Sequence, residues 1–259
     1  ALGLAYIAPL LFVTGLVSLI WAGLFARMRD RPVDPGWAMA AWLYVLLLPA
    51  DLSPLLAGLG MSFAAVLGLH IFGGTGRYIA PPAALGALFI QFSYPGTGQL
   101  SSAASWQATA ATEPGMAGIP LALACLFGAG LLMRTGAVSL RTILGGVLGI
   151  ALAGMLAGLI GDAPIAQIAW HRHLVLGSLP VCLAFVVTDP TTLPLTRAAR
   201  WIHGLLFGLL VVAIRVLDPT HPDGSLVAVL LAILLVPLID HFVLRRHIAR
   251  VGGRLELRR

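Results

Sequence analysis

Few residues in this chain are able to do chemistry, and most of them sit in or beside apolar runs. Asp189 stands in Thr188-Asp189-Pro190, between two apolar spans of the stretch from His173 to Gly224. Arg215 lies near the end of the second span, which runs on into Asp218-Pro219. Asp240 closes the run Pro237-Leu238-Ile239-Asp240. Charged groups are costly in lipid, so such residues face a cavity or a partner and mark ion or proton paths. Arg215 in particular requires a counter-charge, a carbonyl cluster or a phosphate. His70, with an unperturbed pKa of about 6.5, is a candidate proton shuttle, or equally a neutral imidazole hydrogen-bonded inside a bundle. Just beyond it, Gly73-Gly74-Thr75-Gly76 either lets backbone approach a ligand closely or makes a tight turn, because glycine has no Cβ. Asp51, Asp189 and Asp240 all fall near span ends, where helix capping is the plainer role, and Asp-Pro is a common turn signal. His171-Arg172-His173 is a poor metal set, since adjacent helical residues point in different directions. No Cys/His spacing suggests zinc or iron–sulfur binding. Cys125 and Cys182 lie within apolar spans, as small buried residues do.

The elements that must position these groups are transmembrane. The 259 residues are 59% hydrophobic and 10% charged, with a mean hydropathy of +0.97. That composition fits a polytopic membrane protein and not a soluble domain. The net charge of +6 comes from arginine alone. The arginines cluster in short loops and at the C-terminus, which points to topology and anionic lipid headgroups instead of nucleic acid. The expected fold class is all-α, with nine spans of roughly 20 residues at approximately 3–26, 36–50, 53–72, 79–95, 116–133, 140–160, 173–188, 201–217 and 225–244. The second and fourth are short, and Pro81-Pro82 interrupts the fourth, as in bundles that hold a central site. Arginines follow the first, third, fifth, seventh and last spans, which places the N-terminus outside and the C-terminus in the cytoplasm. The long loop 96–115 then lies outside. No cleavable signal peptide is evident, and Ala1 in place of Met suggests processing or a longer native start. Leu46–Asp51, followed by a span ending at His70 and the glycine cluster, echoes Val186–Pro190, followed by a span ending at Arg215. An inverted repeat of about 1–95 and 116–244 is the expectation, with a site at its pseudo-two-fold interface.

His173-Leu174-Val175-Leu176-Gly177, Thr188-Asp189-Pro190, Ile214-Arg215-Val216, Pro219 and Pro222-Asp223-Gly224 together resemble the NqrB/RnfD family. Its members are the membrane subunits of the sodium-pumping NADH:quinone oxidoreductase and of the Rnf ferredoxin:NAD complex. Gly3–Ala26 and Leu46–Pro95 extend the resemblance along nearly the whole chain. It implies ten helices in inverted five-helix halves, as in urea transporters, with the first helix and the N-terminal extension lacking here. It also implies a bacterial inner-membrane subunit of a larger redox complex, with other membrane subunits and lipids as partners. Such a subunit binds flavin and quinone, is coupled to ion or proton translocation, and is not catalytic alone.

The family carries FMN on a threonine in an Asp-Gly-x-Ser/Thr-Gly/Ser-Ala-Thr motif. Thr109-Ala110-Ala111-Thr112 matches its last four positions, which makes Thr112 the implied acceptor, although Trp106 and Gln107 replace the acidic start and a second register, Ser101-Ser102-Ala103-Ala104, would put alanine at the acceptor and abolish attachment. The resemblance places Gly73, Gly74, Thr75 and Gly76 near the quinone and inhibitor region, with quinone or riboflavin as further cofactor candidates, and Arg215, through its need for a partner, is a candidate contact to a cofactor phosphate. The resemblance also implies Asp189 as an acid that handles sodium and matches Asp240 to another family acid near the last helix end, both candidates for the ion or proton path. Two family glutamates fall on His70 and Ala117, neither of which supplies an oxygen ligand, so proton coupling through His70 stands beside sodium pumping. Two other readings stay open: a cofactor-free scaffold in a respiratory or photosynthetic complex, and a small-solute channel suggested by fold alone.

Overall fold

The computed structural model describes residues 2–49, 52–94, 118–160, 166–218 and 224–245. Every regular element among them is a helix. α1 spans Leu2–Met28, α2 Gly36–Leu47 and α3 Pro54–Phe63, the last continuing as a π-helical segment, Ala64–His70. α4 is Pro82–Ser93, α5 Gly118–Arg134 and α6 Leu140–Ile160. α7 (Trp170–His173) and α8 (Leu179–Val181) are single turns, and α8 runs into a second π segment, Cys182–Val186. α9 is Arg197–Leu217, α10 Ser225–Leu234 and α11 Val236–Arg245.

Local sequence sets the boundaries. Ser53 caps α3 by accepting the Leu56 N–H, with Pro54 at the first helical position, where its missing N–H is harmless. Thr196 caps α9 through the Ala199 N–H at 3.1 Å. Pro81-Pro82 delays α4 to residue 82, so the fourth apolar run yields only 12 helical residues. The run drawn at 173–188 is not one helix but two short turns and a π segment. The last run bends by 42° between α10 and α11.

Ile7–Met28, Leu140–Leu159 and Arg197–Leu217 are long and apolar enough to cross a membrane, and α10 with α11 makes a fourth if counted as one bent span. The outward surface is apolar, with Phe12, Ile20, Leu55, Phe127, Leu159 and Leu217 all exposed. Hydroxyls on long helices turn inward: Thr14 donates to Leu10 O at 2.7 Å, and Ser18 to Trp37 O at 3.0 Å, joining α1 to α2. The main core joins Tyr44, Met61 and Leu69 to Val186, Phe207, Val211 and Val229, and a smaller cluster gathers Leu10, Val45, Leu52, Ala57 and Ile90.

Lipid tails are as apolar as leucine, so close packing must hold such helices together. The tightest contact is α6 against α9. Gly145 and Gly149 face Gly204 and Gly208, two Gly-x-x-x-Gly pairs meeting backbone to backbone. A Cβ on Gly208 would fall 2.7 Å from Ile150 N and 2.9 Å from Gly149 Cα. A Cβ on Gly204 would fall 2.9 Å from the Thr142 carbonyl carbon. The sequence reading did not single out these glycines.

Candidate functional site

Both π segments deliver the chain into a turn. The first ends at His70, where the Ile71 N–H bonds to Val66 O at 3.0 Å and the Gly74 N–H to Leu69 O at 3.0 Å. The second ends at Thr188-Asp189, with the Val187 N–H on Cys182 O at 2.8 Å. π turns carry an extra residue and recur at functional sites. Here they bring together two polar turns from distant parts of the sequence.

The glycine turn has a conformational reason. Gly73, Gly74 and Gly76 have φ of +114°, +95° and +83°, values L-residues rarely adopt. Gly74 also leaves room for the Asp34 carboxylate, which occupies the place a Cβ would take. Asp34 reaches over from the α1–α2 connection and accepts the Thr75 N–H at 2.6 Å, the Thr75 hydroxyl and the Gly36 N–H at 3.1 Å. Partial burial raises the Asp34 pKa, but the hydrogen bonds from Thr75 and Gly36 outweigh it and hold the carboxyl below its ordinary 3.8. These bonds are therefore present above the ordinary value and are lost as pH falls through the lower folded one. We expect Asp34→Asn, which keeps the size but removes the charge, to speed hydrogen exchange at the Thr75 amide by about tenfold. Exchange mass spectrometry on the turn checks this, and an unchanged rate would contradict the clamp.

On the other side of the same turn, the Tyr78 hydroxyl donates to Asp189 Oδ2 at 2.5 Å. Asp189 Oδ1 accepts the Thr191 N–H at 2.9 Å, while its carbonyl takes the Thr192 and Leu193 N–H groups, both at 3.1 Å. Asp189 thus organises an Asx-type turn and is bonded across to the glycine turn.

Two clefts flank this arrangement. One, with about 430 Å³ of empty space including its open part, is lined by Gly36, Met39, Leu69, Thr75, Tyr78, Phe185, Val186 and Asp189, among others. The second, with about 340 Å³ of empty space counted the same way, is lined by Phe25, Arg29, Arg31, Asp34, His70, Gly73 and Gly74. His70 is buried at 2% exposure, and its ring stacks on Phe25 with centroids 5.1 Å apart. Its Nε2 has no hydrogen-bond partner among the described residues. The Arg29 guanidinium lies 5.1 Å from the same Phe25 ring and reaches Ile71 O at 3.5 Å. His70, with its orphaned Nε2, lines this cleft together with Arg29 and Arg31, a set that suits an oxygen-bearing ligand.

A profile of the NQR2, RnfD, RnfE family matches residues 3–249. The chain belongs to this family. It is also similar to a Na(+)-translocating NADH-quinone reductase subunit from Chromohalobacter salexigens, at 36% identity over 96% of this chain and 68% of that protein. The corresponding protein of Ectopseudomonas mendocina is 35% identical, and that of Azotobacter vinelandii 32% identical, each over 96% of this chain and 69% of the relative.

Of the residues singled out from the sequence of this family member, the structure brings together His70, Gly73, Gly74, Thr75 and Asp189 along the two clefts. Arg215 and Asp240 line neither of them. Arg215 is fully buried, donating to His173 O at 3.0 Å, Leu176 O at 2.9 Å and the Ser225 hydroxyl at 3.3 Å. Of the three kinds of partner it required, the carbonyl cluster is present. Asp240 accepts the Leu195 N–H at 3.1 Å, tying α11 to the entrance of α9, and its Oδ1 has no partner among the described residues. Thr112, Asp51 and Ala117 lie outside the described residues. Asp34, Tyr78 and Arg29 were not among the site residues singled out from the sequence. Asp34 carried a signal, since Asp34-Pro35-Gly36 repeats the Asp-Pro pattern of Asp189-Pro190 and Asp218-Pro219. Tyr78 carried none.

Proposed function

We propose that this chain is a membrane subunit of a redox-driven, ion-translocating complex of the bacterial inner membrane, holding flavin and quinone among other membrane subunits. The observation that carries the reading is the meeting of the glycine turn with the Thr188-Asp189 turn around two clefts, in a member of this family. The names of its relatives, subunits of Na(+)-translocating NADH-quinone reductases, support it. In this reading the chain forms nine spans in inverted halves of about 1–95 and 116–244. The N-terminus is outside, the C-terminus is cytoplasmic and the loop 96–115 is external. The packing of α1 on α3 and of α6 on α9 supports such a pairing of halves.

His70 and Arg29 would hold a quinone or riboflavin oxygen in the second cleft, where the buried Nε2 fits an acceptor. Asp189, and separately Asp240, would meet the transported cation, with His70 as the group able to carry a proton instead. FMN would be joined through a phosphoester at Thr112 and would supply the step between two-electron and one-electron chemistry. A scaffold that has lost its cofactors is the second reading, favoured by Trp106-Gln107 at the start of the flavin motif.

Intact-mass measurement separates the two. Chain purified from cells that flavinylate other proteins should carry the mass of one FMN, which Thr112→Ala removes and Thr109→Ala leaves in place. An unmodified mass would defeat the flavin-carrier reading and put the scaffold ahead.

A further inference from the structure

We propose that Tyr78 is a positioning residue through which the charge on Asp189 sets the conformation of the glycine turn. The inference rests on the reading that Asp189 meets a cation, and it adds the residue that transmits that event. Tyr78 is half-buried in the short stretch between Gly76 and α4, and its hydroxyl crosses 111 positions of sequence to reach Asp189 Oδ2. An ionised carboxylate only accepts hydrogen bonds. Here one oxygen already serves the Thr191 N–H and the other serves Tyr78. A cation seated on Asp189 competes directly for the oxygen that Tyr78 holds, because hard cations take oxygen ligands. The way in is present, since Asp189 and Tyr78 both line the first cleft.

What Tyr78 holds is soft. Two residues upstream lies Gly76, and then Gly74 and Gly73, all with positive φ. The hydrogen bonds of Asp34 to Thr75 form a second tether, three residues before Tyr78. Release of Tyr78 therefore frees one side of the turn while the other stays pinned, which is a hinge and not a general loosening. The wall that moves is shared, because Gly73 and Gly74 line the second cleft while Thr75 and Tyr78 line the first. An ion event in one cleft thereby reshapes the other, as coupling between two sites requires.

Alkylation kinetics of the assembled complex in its native membrane test this. Arg77, exposed and adjacent to Tyr78, is changed to cysteine, while the native Cys125 and Cys182 are buried. Labelling with a maleimide is timed in sodium chloride and in choline chloride of equal ionic strength. We expect sodium to change the rate at position 77 by about tenfold, the scale of one hydrogen bond to a charged group. Tyr78→Phe and Asp189→Asn should each abolish the sodium response and make the rate the same in both salts. Asp34→Asn should raise the rate in both salts yet keep the response, which shows that the response does not follow from loosening alone. A rate insensitive to sodium with Tyr78 present overturns the proposal, as does a sodium response that survives Tyr78→Phe. Neither flavin nor quinone reduction is read, so failure here is distinct from an absent FMN mass, which would strike the redox reading instead.

Discussion

Arg215→Ala should lower the stability of the bundle by about 3 kcal/mol, on the scale of removing one partner from a buried charged cluster. The side chain is fully buried and gathers His173 O, Leu176 O and the Ser225 hydroxyl around one guanidinium, with His173 Nδ1 3.4 Å away. These partners belong to α7, the turn after it and the start of α10, so the one side chain ties three pieces of backbone to α9. Truncation removes the charged donor from two carbonyls, leaving the His173 carbonyl only the long bond from the Leu176 N–H at 3.4 Å, and opens a cavity in the bundle interior. An average hydrogen bond within a membrane contributes only about 0.6 kcal/mol, but a charged donor holding two carbonyls lies well above that average. Arg215→Lys should recover only part of the loss, because an ammonium lacks the planar fork that meets two carbonyls and a hydroxyl at once. Thermal unfolding in detergent, followed by fluorescence-detected size exclusion, should rank the chains wild type, Lys, Ala. Equal melting temperatures for wild type and Ala would refute the assignment.

Gly208→Val should be more damaging still, at least about 3 kcal/mol, and is expected to prevent assembly of the α6–α9 pair. Overpacking elsewhere is relieved when a neighbouring side chain rotates away. Here the obstacles are backbone atoms: Gly146 O, Ile150 N at 2.7 Å and Gly149 Cα at 2.9 Å from the added Cβ. Backbone cannot rotate aside, so the helices must separate along their whole contact. Gly208→Ala adds the same Cβ with no further bulk, and it should show most of the defect. Gly130→Ala is the control, since nothing lies within 4 Å of a Cβ added there. Loss of monodisperse protein for Gly208→Val beside a normal yield for Gly130→Ala is the expected outcome. Equal yields would mean that the α6–α9 contact is looser than the backbone distances require.

Composition alone determined that this chain is a helical membrane protein, because 59% hydrophobic residues leave no alternative place for so much apolar surface. The Gly73–Gly76 cluster and the Thr188-Asp189-Pro190 turn were also legible, since positive φ and Asp-Pro turns are local demands that local residues must meet. Arg215 could be read as needing partners, because a charge in an apolar run must be compensated wherever the run is placed. Which partners it takes was not legible. They are main-chain carbonyls and a hydroxyl, and carbonyls have no sequence signature. Nor could sequence break the run 173–188 into two short turns and a π segment, because the shift from i→i+4 to i→i+5 bonding is decided by packing around Cys182–Val186. Only the tertiary structure put Asp34 on the glycine turn and Tyr78 on Asp189, contacts that span 41 and 111 positions. A hydroxyl and a carboxylate so far apart share no periodicity and no spacing. What makes them partners is the approach of two helix ends in a closed bundle, where each buried polar group must find another.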